Sequence, residues 1–181
     1  MKKVLIVCLL CFLPWSASQA EIKGFFGTGA GLINWYNDDS DFSAKPTNVY
    51  FRGGVALNSF IDLGVEWSTS LLDDKNDSLD LEVDSTLIFA KLNVPIGDSI
   101  QLYGLAGASN ITLVATREDD SRLGSFDESG TAVGFGAQFG KAEGSKFSVE
   151  YLRYYQDDDE FDSIEGNITV ESINIGYIAY F

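Results

Sequence analysis

The chain ends Ser172-Ile173-Asn174-Ile175-Gly176-Tyr177-Ile178-Ala179-Tyr180-Phe181. Every second residue from Ile173 is apolar: Ile173, Ile175, Tyr177, Ala179 and Phe181. Between them stand Ser172, Asn174, Gly176, Ile178 and Tyr180, a smaller and more polar set. Successive side chains of a strand point to opposite faces, so this spacing sorts the two sets onto two sides of a sheet. A strand with one apolar and one polar face, running to a terminal aromatic, fits a wall between hydrocarbon and a polar interior.

The other end has a different character. Lys2 and Lys3 precede an apolar run from Val4 to Leu13, Pro14 breaks the run, and Ser18-Gln19-Ala20 offers small residues at the spacing of a cleavage site. This predicts a secretory signal over residues 1–20 and a mature domain over residues 21–181. Cys8 and Cys11 lie inside the apolar run, and the large Val7 and Leu10 before them do not suit lipoprotein cleavage. The mature domain then has no cysteine, hence no disulfide, thiol nucleophile or thiolate ligand. Histidine is absent from the whole chain. No later stretch offers 18 apolar residues in a row, so a membrane crossing has to be made by strands closed into a barrel. The two ends together place the chain in the outer membrane of a Gram-negative bacterium.

Lys and Arg number 12 against 27 Asp and Glu. Lys2 and Lys3 leave with the signal, so the mature domain is more negative still. Such a balance argues against nucleic acid or anionic lipid as a partner of the general surface. The acids are grouped: Asn37–Asn48, Leu71–Asp84, Arg117–Ser129 and Asp157–Glu165 hold 20 of the 27. These four segments read as long loops. Eight strand-like stretches lie around them: Ile22–Tyr36, Val49–Asn58, Ile61–Ser70, Val83–Val94, Ser99–Thr116, Gly130–Gly140, Lys146–Gln156 and Ile168–Phe181. The other connections are tight, at Asn58-Ser59-Phe60, Ile96-Gly97-Asp98 and Lys141–Ser145. Alternating long loops and short turns predict an all-β fold, an eight-stranded antiparallel up-and-down transmembrane barrel with loops outside and both mature termini in the periplasm.

Alternation also assigns faces. Ile61, Leu63, Val65 and Trp67 oppose Asp62, Gly64, Glu66 and Ser68; Phe26, Thr28, Ala30 and Leu32 oppose Phe25, Gly27, Gly29 and Gly31. Ile88, Ala90 and Leu92 are read outward, which turns Phe89 and Lys91 inward. Inward glycine has a steric reason, because an eight-stranded interior is only wide enough for side chains to fill. Aromatic residues gather near strand ends. Trp35, Tyr36, Tyr50, Phe51, Trp67 and Tyr155 are expected in a loop-side girdle, and Phe60, Tyr103, Phe139, Phe147, Tyr177 and Phe181 in a turn-side one.

Gly24–Gly31, the segment Gln101–Ser109 and the ending Gly176–Phe181 resemble the OmpA-like or OmpX-like outer-membrane beta-barrel domain family, over the whole mature domain. The ending is similar to the signal read by the barrel-assembly machinery, which makes Tyr177, Ala179 and Phe181 its expected elements. Ala179 departs from the larger residue common there. No peptidoglycan-binding segment follows within the 181 residues, so an OmpA-type tether to the cell wall is not expected. Related small barrels act in adhesion or resistance to host defence, and that is what the resemblance implies here.

Barrel enzymes of the lipid A deacylase, palmitoyltransferase and omptin kinds depend on histidine, a base whose pKa lies near operating pH. Their mechanisms are excluded in the usual form; a carboxylate-only hydrolase remains conceivable, since loop acids are abundant, and the expectation is a protein that is not an enzyme and has no cofactor. Arg52, Asp62, Glu66, Lys91 and Glu150 should point into the barrel, with Lys23 beside them, either lining a narrow ion path or forming a fixed, paired plug. Arg153 falls outward, where it could snorkel to headgroups. Asp157-Asp158-Asp159-Glu160-Phe161-Asp162 lacks the order of an EF-hand and reads as a solvated loop, so no metal is assigned. The expected partners are outer-membrane lipid and lipopolysaccharide, the assembly machinery, and a host or surface ligand met by the loops. The competing readings are a narrow channel and a soluble periplasmic barrel of the lipocalin kind.

Overall fold

The computed structural model describes residues 22–37, 43–72, 79–117, 122–141, 144–156 and 168–181. The signal segment and the acidic run 157–162 lie outside them. Nine strands are present among the described residues: β1 (Lys23–Asn37), β2 (Ser43–Ala44), β3 (Thr47–Ala56), β4 (Ile61–Leu72), β5 (Leu79–Ile96), β6 (Ile100–Arg117), β7 (Arg122–Phe139), β8 (Ser145–Gln156) and β9 (Ile168–Tyr180). Each long strand pairs antiparallel with its neighbours in sequence, and β1 also pairs with β9, so eight strands close into a barrel. The two-residue β2 folds back on the end of β1, with Trp35 opposite Ala44 and Tyr36 opposite Ser43.

The stagger of the closure follows from the register. Stepping from Lys23 across each strand passes Ala56, Asp62, Lys91, Leu105, Gly134, Leu152 and Ser172, and returns to β1 at Ile33, ten residues along. For eight strands that offset implies a tilt of roughly 40° to the barrel axis. An even offset returns each inward residue to an inward residue, so one face stays inside around the whole circuit.

Tight connections gather at one end. In the first, the Asn58 side chain caps the turn, its Oδ1 accepting from the backbone N–H of Phe60 at 2.8 Å and of Ile61 at 2.9 Å, as expected of an Asx turn. In the second, Gly97 takes φ 65°, a conformation that side-chain-bearing residues rarely adopt. At the seam, the Phe181 backbone N–H donates to the Gly24 carbonyl at 2.9 Å, and the Phe181 ring occupies the space a Gly24 side chain would need.

The outer wall is apolar over the strands' turn-side portions. Phe26, Leu32, Val65, Ile88, Phe135, Ile173 and Ile175 are all exposed, Ile88 and Phe135 by 64% each. Phe51 and Trp67 stack on this wall at 6.1 Å. Phe60, Phe139, Phe147, Tyr177 and Phe181 are exposed near the turn end. Tyr50 and Tyr103 are corrected: both are buried inside the barrel and neither belongs to a girdle. Their strand parity puts them inward, and nearness to a strand end does not override it.

A second correction concerns the acidic segments. β5 begins at Leu79 and β7 at Arg122, so much of Leu71–Asp84 and Arg117–Ser129 is strand rather than loop. β5, β6 and β7 have 18 residues each. At about 3.3 Å per residue and this tilt they rise roughly 45 Å, whereas an apolar band is only about 25 Å tall. Beyond the band the outer wall turns polar: Ser129 Oγ donates to Asn110 Oδ1 at 2.5 Å and Thr112 Oγ1 to Asp127 Oδ1 at 2.6 Å.

Candidate functional site

The interior is filled with side chains in two zones. Toward the long-connection end lie the buried Ile33, Val83, Ile111, Leu152 and Val170, part of one apolar cluster that includes Leu87 and Leu105. Toward the turn end and the middle lie six buried charged residues: Arg52, Lys91 and Lys146 against Asp62, Glu66 and Glu150. Three cations thus balance three carboxylates in number, which suits a low-dielectric interior.

Arg52 of β3 is the hub. Its Nε donates to Glu66 Oε2 of β4 at 2.9 Å, and its Nη2 pairs with the same oxygen. Nη1 and Nη2 reach across the lumen to Glu150 of β8, at 3.0 Å to Oε2 and 2.6 Å to Oε1. The planar fork serves both carboxylates at once, which a lysine could not do. Two tyrosines complete the set: the Tyr103 hydroxyl donates to Glu150 Oε2 at 2.9 Å, and the Tyr154 hydroxyl to Glu66 Oε1 at 2.8 Å. The guanidinium also lies 4.7 Å from the Tyr50 ring centre.

A second group sits nearer the turns. Lys91 Nζ is 2.7 Å from Asp62 Oδ2 and donates to the Tyr180 hydroxyl at 3.1 Å. That hydroxyl is 3.2 Å from Asp62 Oδ2. Lys146 Nζ donates to Gln101 Oε1 and lies 4.9 Å from the Tyr180 ring centre.

The backbone makes room for this filling. A side chain at Gly136 would meet the Tyr103 ring at 2.6 Å, and one at Gly64 would meet Phe89 at 2.7 Å and Phe25 at 2.9 Å. Phe25, Tyr50, Phe89 and Tyr103 each lie over a glycine on another strand. Tyr154 reaches the lumen by plain alternation, at the parity of Ser148, Glu150 and Leu152. The β8–β9 register shifts between Arg153 and Tyr155, so the irregularity falls at Tyr154. A bulge of this kind frees ladder groups. The Tyr154 carbonyl accepts from the Ser109 hydroxyl, across the barrel on β6.

All five inward charges of the sequence reading lie inside, and the structure brings Arg52, Glu66 and Glu150 into one cluster and Asp62 and Lys91 into another. Lys23 is half-buried at the start of β1, and Arg153 faces outward, half-buried. Tyr177 and Phe181 are exposed on the outer wall, and Ala179 beside them is half-buried. The sequence reading missed Lys146 and the two tyrosines. Lys146 shares the parity of Ser148 and Glu150, which was the available signal. Tyr154 shares this even parity, so the same signal was available for it. Among the described residues no group of three or more His, Cys, Asp or Glu side chains is placed to hold a metal ion.

Comparison with known proteins gives a consistent result. The family described as outer membrane protein beta-barrel domain matches residues 5–181. A search of curated protein sequences gave no match. Among solved structures, Neisserial surface protein A superposes with a TM-score of 0.72 at 15% identity, covering 87% of this chain and 97% of that one. The attachment invasion locus protein Ail of Yersinia pestis, solved with the heparin analogue sucrose octasulfate, gives 0.57 at 17% identity, covering 89% and 99%. The N-terminal barrel domain of Pseudomonas aeruginosa OprF gives 0.56 at 11% identity, covering 86% and 97%. At these identities the likeness is one of fold.

Proposed function

The chain belongs to the outer membrane protein beta-barrel domain family, and from that premise we propose that it is a non-enzymatic surface protein that binds cationic ligands through its acidic extracellular end. The filled lumen carries this reading. Six charged residues in balance, capped by apolar side chains toward the long connections, favour a fixed plug over an ion path. Function is then directed to the exterior, where β5, β6 and β7 rise above the apolar band and the connecting segments hold most of the acids.

Ail was crystallised with a polysulfated sugar. The same chemistry does not suit this end of the barrel, since concentrated carboxylates repel a polyanion and attract a basic partner over about a Debye length. A Lys- or Arg-rich polypeptide on a host, a phage or a neighbouring cell fits better. The absence of histidine, and of cysteine beyond residue 20, removes the general base and the thiol nucleophile that barrel hydrolases would most readily use, which supports the non-enzymatic reading.

Two measurements test it. The purified, refolded protein in a planar bilayer is expected to give no steady openings. Cells displaying it are expected to adsorb a fluorescent oligolysine in a salt-sensitive manner and to ignore a heparin fragment. Steady conductance that changes in Glu66→Ala and Arg52→Ala would replace this reading with the channel. Preference for the heparin fragment would overturn the cationic ligand.

A further inference from the structure

Above the apolar rows of the outer wall, β8, β9 and β1 present a polar group. Arg153 of β8 stands in register with Glu171 of β9, which stands in register with Asn34 of β1. One step below on the same face are Tyr151, Ile173 and Leu32, likewise in register. Ile173, Leu32 and the neighbouring Phe135 are exposed, and Phe135 packs against Tyr151 with ring centres 5.4 Å apart.

Glu171 is held on both sides by neutral donors. The Tyr151 hydroxyl donates to its Oε2 at 2.5 Å, and Asn34 Nδ2 to its Oε1 at 3.2 Å. Among the described residues no ion pair joins Arg153 to this carboxylate. The guanidinium therefore stands on an apolar wall beside an acid that is already bonded. A long basic side chain in that position lays its stem along the hydrocarbon and lifts its charge to headgroup height.

The geometry points to a docking site for the phosphate of an outer-leaflet glycolipid, taken by Arg153. The Glu171 carboxylate beside it opposes the phosphate and is kept turned to its own donors, Tyr151 and Asn34. A guanidinium fork matches phosphate with two parallel hydrogen bonds. The exposed Phe135, Ile173 and Leu32 directly below offer acyl chains a surface to lie against. The lipid is favoured over a soluble anion because the acidic end above repels free polyanions, whereas a lipid already in the leaflet reaches the wall from the side. The wall of β5 and β7 is poorer for this purpose, since at its upper end it presents Glu82, Asp84 and Asp127.

The test uses the refolded barrel in phosphatidylcholine nanodiscs titrated with fluorescent lipid A, in intact and dephosphorylated forms. Intact lipid A is expected to bind the native protein, and Arg153→Gln to weaken it roughly tenfold, the value of one charge-assisted contact. Arg153→Lys should recover part of the loss. Glu171→Gln, which removes a negative charge beside the phosphate, should tighten binding and gives a second readout if Arg153→Gln fails to fold. Lys141→Gln, at the turn end, should bind as the native protein does. Equal binding by native protein and Arg153→Gln, or equal binding of both lipid A forms, overturns the site. Displacement by millimolar inorganic phosphate would move the ligand to a soluble anion and overturn the lipid assignment.

Discussion

Arg52 is bonded to two carboxylates that are themselves bonded to Tyr154 and Tyr103, so no member of the set is free to leave alone. Removing the cation strands two buried negative charges. Arg52→Ala is expected to destabilise the barrel by about 3–5 kcal/mol, read from urea unfolding in detergent micelles. Replacing the set together, Arg52→Met with Glu66→Gln and Glu150→Gln, should return stability to about the native level or above, because the desolvation penalty goes with the charges. A triple variant as unstable as the single one would show that the charges themselves hold the interior. Much of this cluster was legible in the sequence, since Arg52, Glu66 and Glu150 stand at inward positions of alternating strands. What was not legible is the pairing, which needs the register between strands far apart in the chain. Glu150 meets Arg52 across 98 residues.

Strand by strand, alternation is informative only where one face meets hydrocarbon. In β4 the two faces differ sharply and the reading agrees with the structure. β5 hides its period, because Val83, Leu87 and Phe89 face inward while Ile88 and Leu92 face out, making both sides apolar. Above the band, outward residues need only be polar, so acid-rich stretches of β5 and β7 look like loops. The change from apolar to polar rows locates the boundary between Ile88 and Thr86 on β5. Leu92→Lys, in the middle of the outward apolar row, should then cost about 2–4 kcal/mol, and Thr86→Lys no more than about 1 kcal/mol. Reversible unfolding in lipid vesicles measures both, and equal penalties would shift the boundary. The bulge at Tyr154 belongs to this scale too: the side chain keeps the inward parity of Glu150 and Leu152 and donates to Glu66, while the register shift leaves its carbonyl to accept from Ser109.

For the whole molecule, closure depends on the β1–β9 seam, where thirteen residues of β1 are matched to β9 and Phe181 is seated on Gly24. Removal of Phe181 is expected to lower the amount of barrel in the outer-membrane fraction while export to the periplasm continues; fractionation and a gel-mobility shift on heating report both. Normal levels of the truncated protein would leave the terminal aromatic without the assembly role assigned to it. The fold class could be read at this scale from the two ends and the alternation of long and short connections. The ligand could not, because acid content predicts charge and exposure while recognition depends on the shape of the connections.

The same seam also sets the order of events in biogenesis. Phe25 pairs with Tyr180, so the first strand to emerge waits for the last before its outer edge is covered. Such distant pairings fold slowly, because the chain entropy of closing the loop has to be met first. Until then β1 offers an unpaired edge to any passing polypeptide. Vulnerability to aggregation and proteolysis is therefore concentrated in the interval before the seam closes.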